Sequence, residues 1–197
     1  KGLDHPCICP LLFSDETSES FILVTPLANK GDLHERTRYI TIREEDCRNF
    51  ADQILHALEY LHKRNYVHND MKPHNILLSE VDGKHLVQLN DFGFTQTVPM
   101  TDMRPGLIPF TGFQGTSGYF SPEEMSHQPH GTSADMFVVG LILFQLLVGY
   151  EAFYPPQMFP APAEFEEEYW SAITPECQEL VAALLDLDQA KRPTAAE

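Results

Sequence analysis

The chain is poor in positive charge. Its 197 residues hold 13 Lys and Arg against 29 Asp and Glu, a formal net charge of −16. That imbalance argues against a nucleic-acid backbone or an anionic membrane as the main partner, since both repel an acidic protein. Paired cysteine motifs are missing as well. Cys7, Cys9, Cys47 and Cys177 form no CxxC, and Cys7-x-Cys9 has no second ligand pair. A cysteine metal site is therefore not expected, and all four read as free thiols in a reducing compartment. Long apolar runs are also absent. The most apolar stretch, Met136 to Tyr150, falls short of the roughly 20 residues that span a bilayer, and reads as a buried helix. No signal peptide, low-complexity tract or internal repeat is present. A soluble, intracellular protein of ordinary globular composition is the expectation.

What is there fits one domain with enough chain to bury a substantial core. Phe21-Ile22-Leu23-Val24, ahead of Pro26, reads as a strand running into a linker, and Asn29-Lys30-Gly31-Asp32 as a turn. Thr41-x-x-Glu44 has the form of a capping box. It would open a helix whose apolar residues Phe50, Ile54, Leu58 and Leu61 recur at helical spacing. Ile76-Leu77-Leu78 and Leu86-Val87-Gln88-Leu89 flank Asp82-Gly83, which signals a hairpin. Phe94 to Tyr119 has no period, and so long an irregular stretch inside a domain is usually functional or disordered. Thr132-Ser133 is the expected cap of an apolar helix from Asp135 to Val148, which Gly149 ends. Phe153 to Pro162 reads as an irregular connection and Glu164-Phe165-Glu166-Glu167-Glu168 as a solvated helix face. Thr174-Pro175-Glu176 starts another helix, buried at Leu180, Val181, Leu184 and Leu187. The fold class is α+β, mainly helical with small β-hairpins. The chain begins on lysine, and Arg192 to Glu197 reads as the start of a helix, so a fragment or processed form is expected.

Two short stretches concentrate the chemistry. His68-Asn69-Asp70-Met71-Lys72-Pro73-His74-Asn75 precedes the hairpin, and Asp91-Phe92-Gly93 follows it. An acid, a lysine, an amide and a second acid at this spacing suit phosphoryl transfer from a metal–nucleotide. The reaction needs a base within reach of a hydroxyl proton and two oxygen ligands for Mg²⁺. The hairpin would bring Asn75 and Asp91 together at one of its ends.

These residues resemble the eukaryotic protein kinase family, specifically the large C-terminal lobe of the domain. His68-x-Asp70-x-Lys72-x-x-Asn75 resembles its catalytic loop and Asp91-Phe92-Gly93 its metal-binding motif. Gly115 to Glu123 resembles the peptide-positioning segment, with Ser121 where the signature has alanine. Asp135 followed by Gly140 looks like the start of the central buried helix, and Arg192 like the arginine that pairs with Glu123. The resemblance implies that residues 1–28 are a remnant of the small lobe, its last strands and hinge. Residues 29–197 would be the C-lobe, cut in its last helix. It also implies ATP and Mg²⁺ as cofactors and a protein or peptide substrate bearing Ser or Thr. Asp70 would orient the hydroxyl and accept its proton, Lys72 would neutralise the moving phosphoryl group, and Asn75 and Asp91 would bind the metals. Lys72 with Thr116 resembles the serine/threonine-specific branch. His68 and Phe92 would be packing residues. Thr25-Pro26-Leu27-Ala28 aligns with the hinge, Thr25 guarding the back pocket. Pro26 would offer its carbonyl and Ala28 its N–H to the adenine, Asp32 would face the ribose, and Leu77 would lie under the base.

Two departures stand out. Asn69 replaces the arginine that in this family grips a phosphorylated residue, and asparagine has no charge for such a pair. The chain also lacks a Gly-rich phosphate loop, the strand lysine that grips α/β-phosphates, and the helix glutamate that pairs with it. His5 to Leu12 resembles the connection just after that helix. Two readings follow: part of an active serine/threonine kinase, or a truncated kinase-like module that docks on a partner kinase or scaffold. The intact set Asp70, Lys72, Asn75 and Asp91 favours the first, and the Gly115 to Glu123 segment disfavours a small-molecule phosphotransferase.

Overall fold

The computed structural model describes residues 2–37, 41–101, 104–153 and 161–197. In chain order they form a hairpin of β1 (Phe13–Glu16) and β2 (Phe21–Val24), then α1 (Leu33–Thr37), α2 (Glu44–His62) and β3 (Tyr66–Val67). A 3₁₀ turn, Pro73–Asn75, leads into the hairpin of β4 (Ile76–Val81) and β5 (Lys84–Leu89). β6 (Gln96–Thr97), β7 (Met100–Thr101), β8 (Arg104–Pro105), α3 (Pro122–Met125), α4 (Thr132–Val148), α5 (Glu167–Trp170) and α6 (Pro175–Leu184) follow. The four sheets, β1-β2, β3-β6, β4-β5 and β7-β8, are two-stranded and antiparallel. This is the mainly helical α+β arrangement expected.

α4 is the hub. It is apolar around its whole circumference, so every side must be covered, and α2 and α6 pack on it. α6 comes so close that a Cβ on Gly140 would collide with Leu184 and Leu185. Gly149 ends α4 in the left-handed conformation, φ 81°, as expected of a C-cap glycine. α2 lays Phe50, Ile54, Leu58 and Leu61 into the same core. The β4-β5 hairpin turns through Asp82 and Gly83, both at positive φ (51° and 76°), the twist a two-residue hairpin turn needs. Ile76, Leu78, Val87 and Leu89 face inward, and Cys7 and Ile8 join the core by pairing with Leu89.

Two helix starts differ from expectation. α2 opens at Glu44 after Arg43, with no side-chain cap, so Thr41 is not its N-cap. Glu44 lies in the first turn and takes both hydrogen bonds of Thr174 instead, from N at 2.9 Å and Oγ1 at 2.6 Å. α4 begins at Thr132 after Gly131, so Thr132 and Ser133 are inside the helix, not ahead of it. Thr174 does cap α6, with Pro175 in the first turn. Val181 and Leu184 are fully buried, whereas Leu180 is 40 % exposed and belongs to the rim. The acidic run is solvated, but only Glu167 and Glu168 are helical, and Phe165 is drawn inward against Phe144 and Trp170. Residues 154–160, most of the proline-rich connection, lie outside the described residues.

Candidate active site

The loop after β3 is strung from a buried acid. Asp135 in the first turn of α4 accepts the backbone N–H of His68 at 2.9 Å and of Asn69 at 3.1 Å. His62 Nε2 donates to the same carboxylate at 2.9 Å. Burial opposes ionisation of Asp135, but the His62 hydrogen bond and the surrounding charges win and hold its carboxyl below the ordinary value. A polar residue in the most apolar helix thus has its full set of partners. His68 is fully buried and uses both ring nitrogens: Nε2 donates to the Asn90 carbonyl at 3.1 Å, and Nδ1 accepts from Asp70 N at 3.3 Å. Burial pushes its pKa down, leaving a neutral packing residue against Phe92.

Asp70, Lys72, Asn75 and Thr116 close into one hydrogen-bonded cluster. Asp70 Oδ2 accepts from Lys72 Nζ and Asn75 Nδ2, each at 2.8 Å, and Oδ1 accepts from Thr116 Oγ1 at 2.6 Å. Lys72 also donates to Thr116 Oγ1 at 2.6 Å. Burial again raises the cost of charge on Asp70, but the bonds from Lys72, Thr116 and Asn75 outweigh it and lower the pKa. Thr116 arrives from far along the chain because Gly115, at φ 116°, presses against the carbonyl oxygen of Asn69 where no Cβ fits. The result is an ionised carboxylate, a fixed ammonium and a hydroxyl within one shell.

Asn75 and Asp91 flank the open end of the hairpin, where Asn90 N donates to the Asn75 carbonyl at 2.9 Å. Both Nδ2 hydrogens of Asn75 go to Asp70, one to its backbone oxygen, which leaves Oδ1 without a hydrogen bond among the described residues. Asp91 is exposed, at φ 58°, and one of its oxygens accepts from Gly93 N at 3.2 Å. An amide oxygen and a carboxylate suit Mg²⁺, which takes one or two protein oxygens and keeps water and phosphate for the rest. No cluster of three or more His, Cys, Asp or Glu able to hold a metal exists among the described residues.

A cavity of about 460 Å³ adjoins Asp91 and is lined by Cys9, Leu23, Thr25, Phe92 and Gly93, among others. Its size is within the usual range for a small-molecule site. Pro26, Ala28, Asp32 and Leu77 are not on its wall. Asp32 caps α1, accepting from Glu35 N at 2.8 Å, and is bridged to Leu77 across the hairpin edge. Leu77 is half-buried on the outward face of β4 and stands apart from the core. All four cysteines are free thiols. Further along, Arg192 grips Glu123 in a bidentate pair, Nη1 to Oε1 at 2.7 Å and Nη2 to Oε2 at 2.8 Å, both groups buried.

The profile of the family described as "Protein kinase domain" matches residues 1–197. The chain belongs to the protein kinase family. It is 34% identical over 205 residues to "Calcium/calmodulin-dependent protein kinase cmkA" of Emericella nidulans, covering 100% of this chain and 48% of that protein. It is 35% identical over 206 residues to "Calcium/calmodulin-dependent protein kinase type II subunit delta" of Oryctolagus cuniculus (99% and 37%). Against "Myosin light chain kinase A" of Dictyostelium discoideum it is 33% identical over 203 residues (99% and 67%). The chain spans about half the length of the curated relatives it matches. No helix of the described residues is long and apolar enough to cross a membrane.

One feature of this kinase domain escaped the sequence reading although its signal was there. Ser121-Pro122-Glu123-Glu124 is an S-x-x-E pattern with proline in the first turn, and it starts α3. Glu124 Oε2 accepts from Ser121 N at 2.9 Å and from Ser121 Oγ at 2.7 Å. An alanine at 121 would keep the first bond and lose the second. Burial pushes the Glu124 carboxyl up to about 7. Below its unfolded value both folded and unfolded chains are protonated. Between there and about 7 the unfolded carboxyl ionises first, so this group's stabilisation is lost as pH rises. Glu124→Gln is therefore expected to gain on the wild type between pH 5 and pH 8, by on the order of 2 kcal/mol. Urea midpoints for both proteins at each pH check it, and a constant offset rejects it. Because only the difference is read, the opposite slope from the buried neutral His68 cancels.

Proposed function

We propose that the chain is part of a serine/threonine protein kinase that moves the γ-phosphoryl group of ATP to a protein hydroxyl. The observation that carries this reading is the cluster joining Asp70, Lys72, Asn75 and Thr116, with the free Oδ1 of Asn75 and the Asp91 carboxylate beside it. Residues 1–28 are taken as the remnant of the small lobe with the hinge, and 29–197 as the C-lobe. In this reading the substrate Ser or Thr hydroxyl displaces Thr116 at Asp70 Oδ1. Its oxygen attacks the γ-phosphorus, the bond to ADP breaks, and the hydroxyl proton passes to Asp70. Because the Asp70 pKa is held low, it aligns the hydroxyl early and takes the proton late. Lys72 sits where it meets the charge on the transferring oxygens. Asn75 and Asp91 would hold Mg²⁺, which when bound neutralises charge on the phosphates. The cavity at Thr25 is taken to receive part of the nucleotide, while Pro26 and Ala28 of the hinge, Asp32 and Leu77 lie off its wall and would meet the base and ribose beyond it.

The sequence carries no Gly-rich phosphate loop and no strand lysine to grip the phosphates from the other side, so purified residues 1–197 are expected to transfer negligible phosphate to peptides. The full-length protein is expected to label Ser/Thr peptides from γ-labelled ATP. A full-length protein that binds ATP and Mg²⁺ but labels no Ser/Thr substrate overturns the reading.

A further inference from the structure

Asn69 sits where four pieces of chain converge. Its backbone N–H is held by Asp135, and its Nδ2 donates to the carbonyl of Phe94 at 3.0 Å. Its Oδ1 faces His130 Nε2 at 3.2 Å, and Gly115 packs on its carbonyl oxygen. Phe94 opens, and Gly115 closes, the stretch bearing the short strands β6, β7 and β8 that delivers Thr116 to Asp70. His130 holds the middle of that segment: its N–H donates to the Ile108 carbonyl at 3.1 Å, and its carbonyl accepts from Ile108 N at 2.7 Å. Asn69 lies at φ 63°, a left-handed conformation that asparagine tolerates better than most residues.

The chemistry of the partners fixes the orientation of the amide. A backbone carbonyl only accepts, so Nδ2 must face Phe94 and Oδ1 must face His130. His130 then donates from Nε2, and its neutral form leaves Nδ1 bare. That atom is buried with no hydrogen-bond partner. A proton there would be a buried donor with nothing to bind. In keeping with this, burial pushes the imidazole pKa down against the pull of Glu123 and Asp135. Both halves of the contact are uncharged.

We propose that Asn69 and His130 are positioning residues: a neutral amide–imidazole clamp that fastens the segment from Phe94 to Thr116 onto the catalytic loop without any phosphate on that segment. Its kinetic consequence rests on the kinase reading above; its structural consequence does not. Asn69→Gly keeps the left-handed backbone and deletes the amide. His130→Leu deletes the donor, and His130→Gln keeps an N–H donor in its place.

Hydrogen exchange on the full-length protein reads the clamp directly. Peptides covering residues 94–116 are expected to exchange about 10-fold faster in Asn69→Gly and His130→Leu, with His130→Gln near wild type. Peptides from α2 and α6 keep their rates. kcat is expected to fall about 10-fold in the two deletion variants while KM for ATP stays within about two-fold, because neither residue lines the cavity at Thr25. Phosphatase treatment of the wild type should change neither exchange nor kcat. Unchanged exchange of 94–116 in both deletion variants overturns the clamp. So does equal loosening of α2 and α6, or a segment opened by phosphatase alone. If the protein transfers no phosphate, exchange still decides the clamp, and only the kinetic arm reports failure of the kinase reading.

Discussion

Arg192→Met is expected to lower the unfolding free energy by about 3–5 kcal/mol, because it leaves the Glu123 carboxylate buried without its counter-charge. The arginine makes more than the pair. Its Nε donates to the Asp186 carbonyl at 2.7 Å, Nη1 also reaches the Ser133 carbonyl at 2.9 Å, and the guanidinium lies 4.8 Å from the centre of the Phe137 ring. Four parts of the chain therefore meet on one side chain: α3, the start of α4, the turn after α6 and the core. Lysine does not substitute, since a point charge cannot make two parallel bonds to one carboxylate while donating to two carbonyls. The double variant Glu123→Gln/Arg192→Met should recover part of the loss, since the stranded charge is gone while the carbonyls of Asp186 and Ser133 remain short of donors. Equilibrium urea unfolding of the three proteins measures all of this. A single-variant loss under about 1 kcal/mol, or a double variant no better than the single, contradicts the account.

How much of this was legible beforehand depended on whether a signal was local. The β4-β5 hairpin was, since Asp82-Gly83 supplies both positive φ values and apolar runs flank it. α4 was legible as a buried helix, since its composition leaves no polar face. The starts of α2 and α4 were not, although that of α6 at Thr174 was. Thr41 and Thr132 are good caps by type, but α2 starts at Glu44, which accepts from Thr174, distant in sequence, and α4 starts at Thr132 itself. Leu180 fits the helical period of α6, but it stands at the rim beside a cavity shared with Ala51 and Leu147 and stays 40 % exposed.

The site shows the same division. Asp70, Lys72, Asn75 and Asp91 were readable from spacing, and Thr116 from likeness to a family pattern. That Thr116 bonds both Lys72 and Asp70 depends on how Gly115 packs across the loop, which spacing does not encode. Asn69 read as a loss, a missing arginine. Its gain, bonds to Phe94 and His130, needed the tertiary arrangement to be visible.

Asp70→Asn in the full-length protein is expected to lower kcat by about 10²–10⁴-fold with little change in KM for ATP. The substitution keeps the volume and removes two capacities at once. An amide has no proton-accepting oxygen pair, so the substrate hydroxyl loses its acceptor as its oxygen bonds to phosphorus. Its amide nitrogen only donates, so it can no longer accept from Lys72, Asn75 and Thr116 together. Lys72 would then be free to swing from its place beside Asp70 and Thr116, where the proposed reaction needs it. Asn75 would lose the Oδ2 bond that helps turn its own oxygen outward. Nucleotide affinity should survive, because the cavity at Thr25, Cys9 and Phe92 does not include Asp70. Steady-state kinetics with a Ser/Thr peptide, alongside binding of a non-hydrolysable ATP analogue to the same protein, separates the two effects. Thr116→Ala serves as the internal comparison: it deletes one partner of the carboxylate but not the carboxylate, so its kcat loss should be much the smaller. A kcat loss in Asp70→Asn below about ten-fold, or one matched by Thr116→Ala, would mean that the carboxylate orders the loop without touching the reacting hydroxyl.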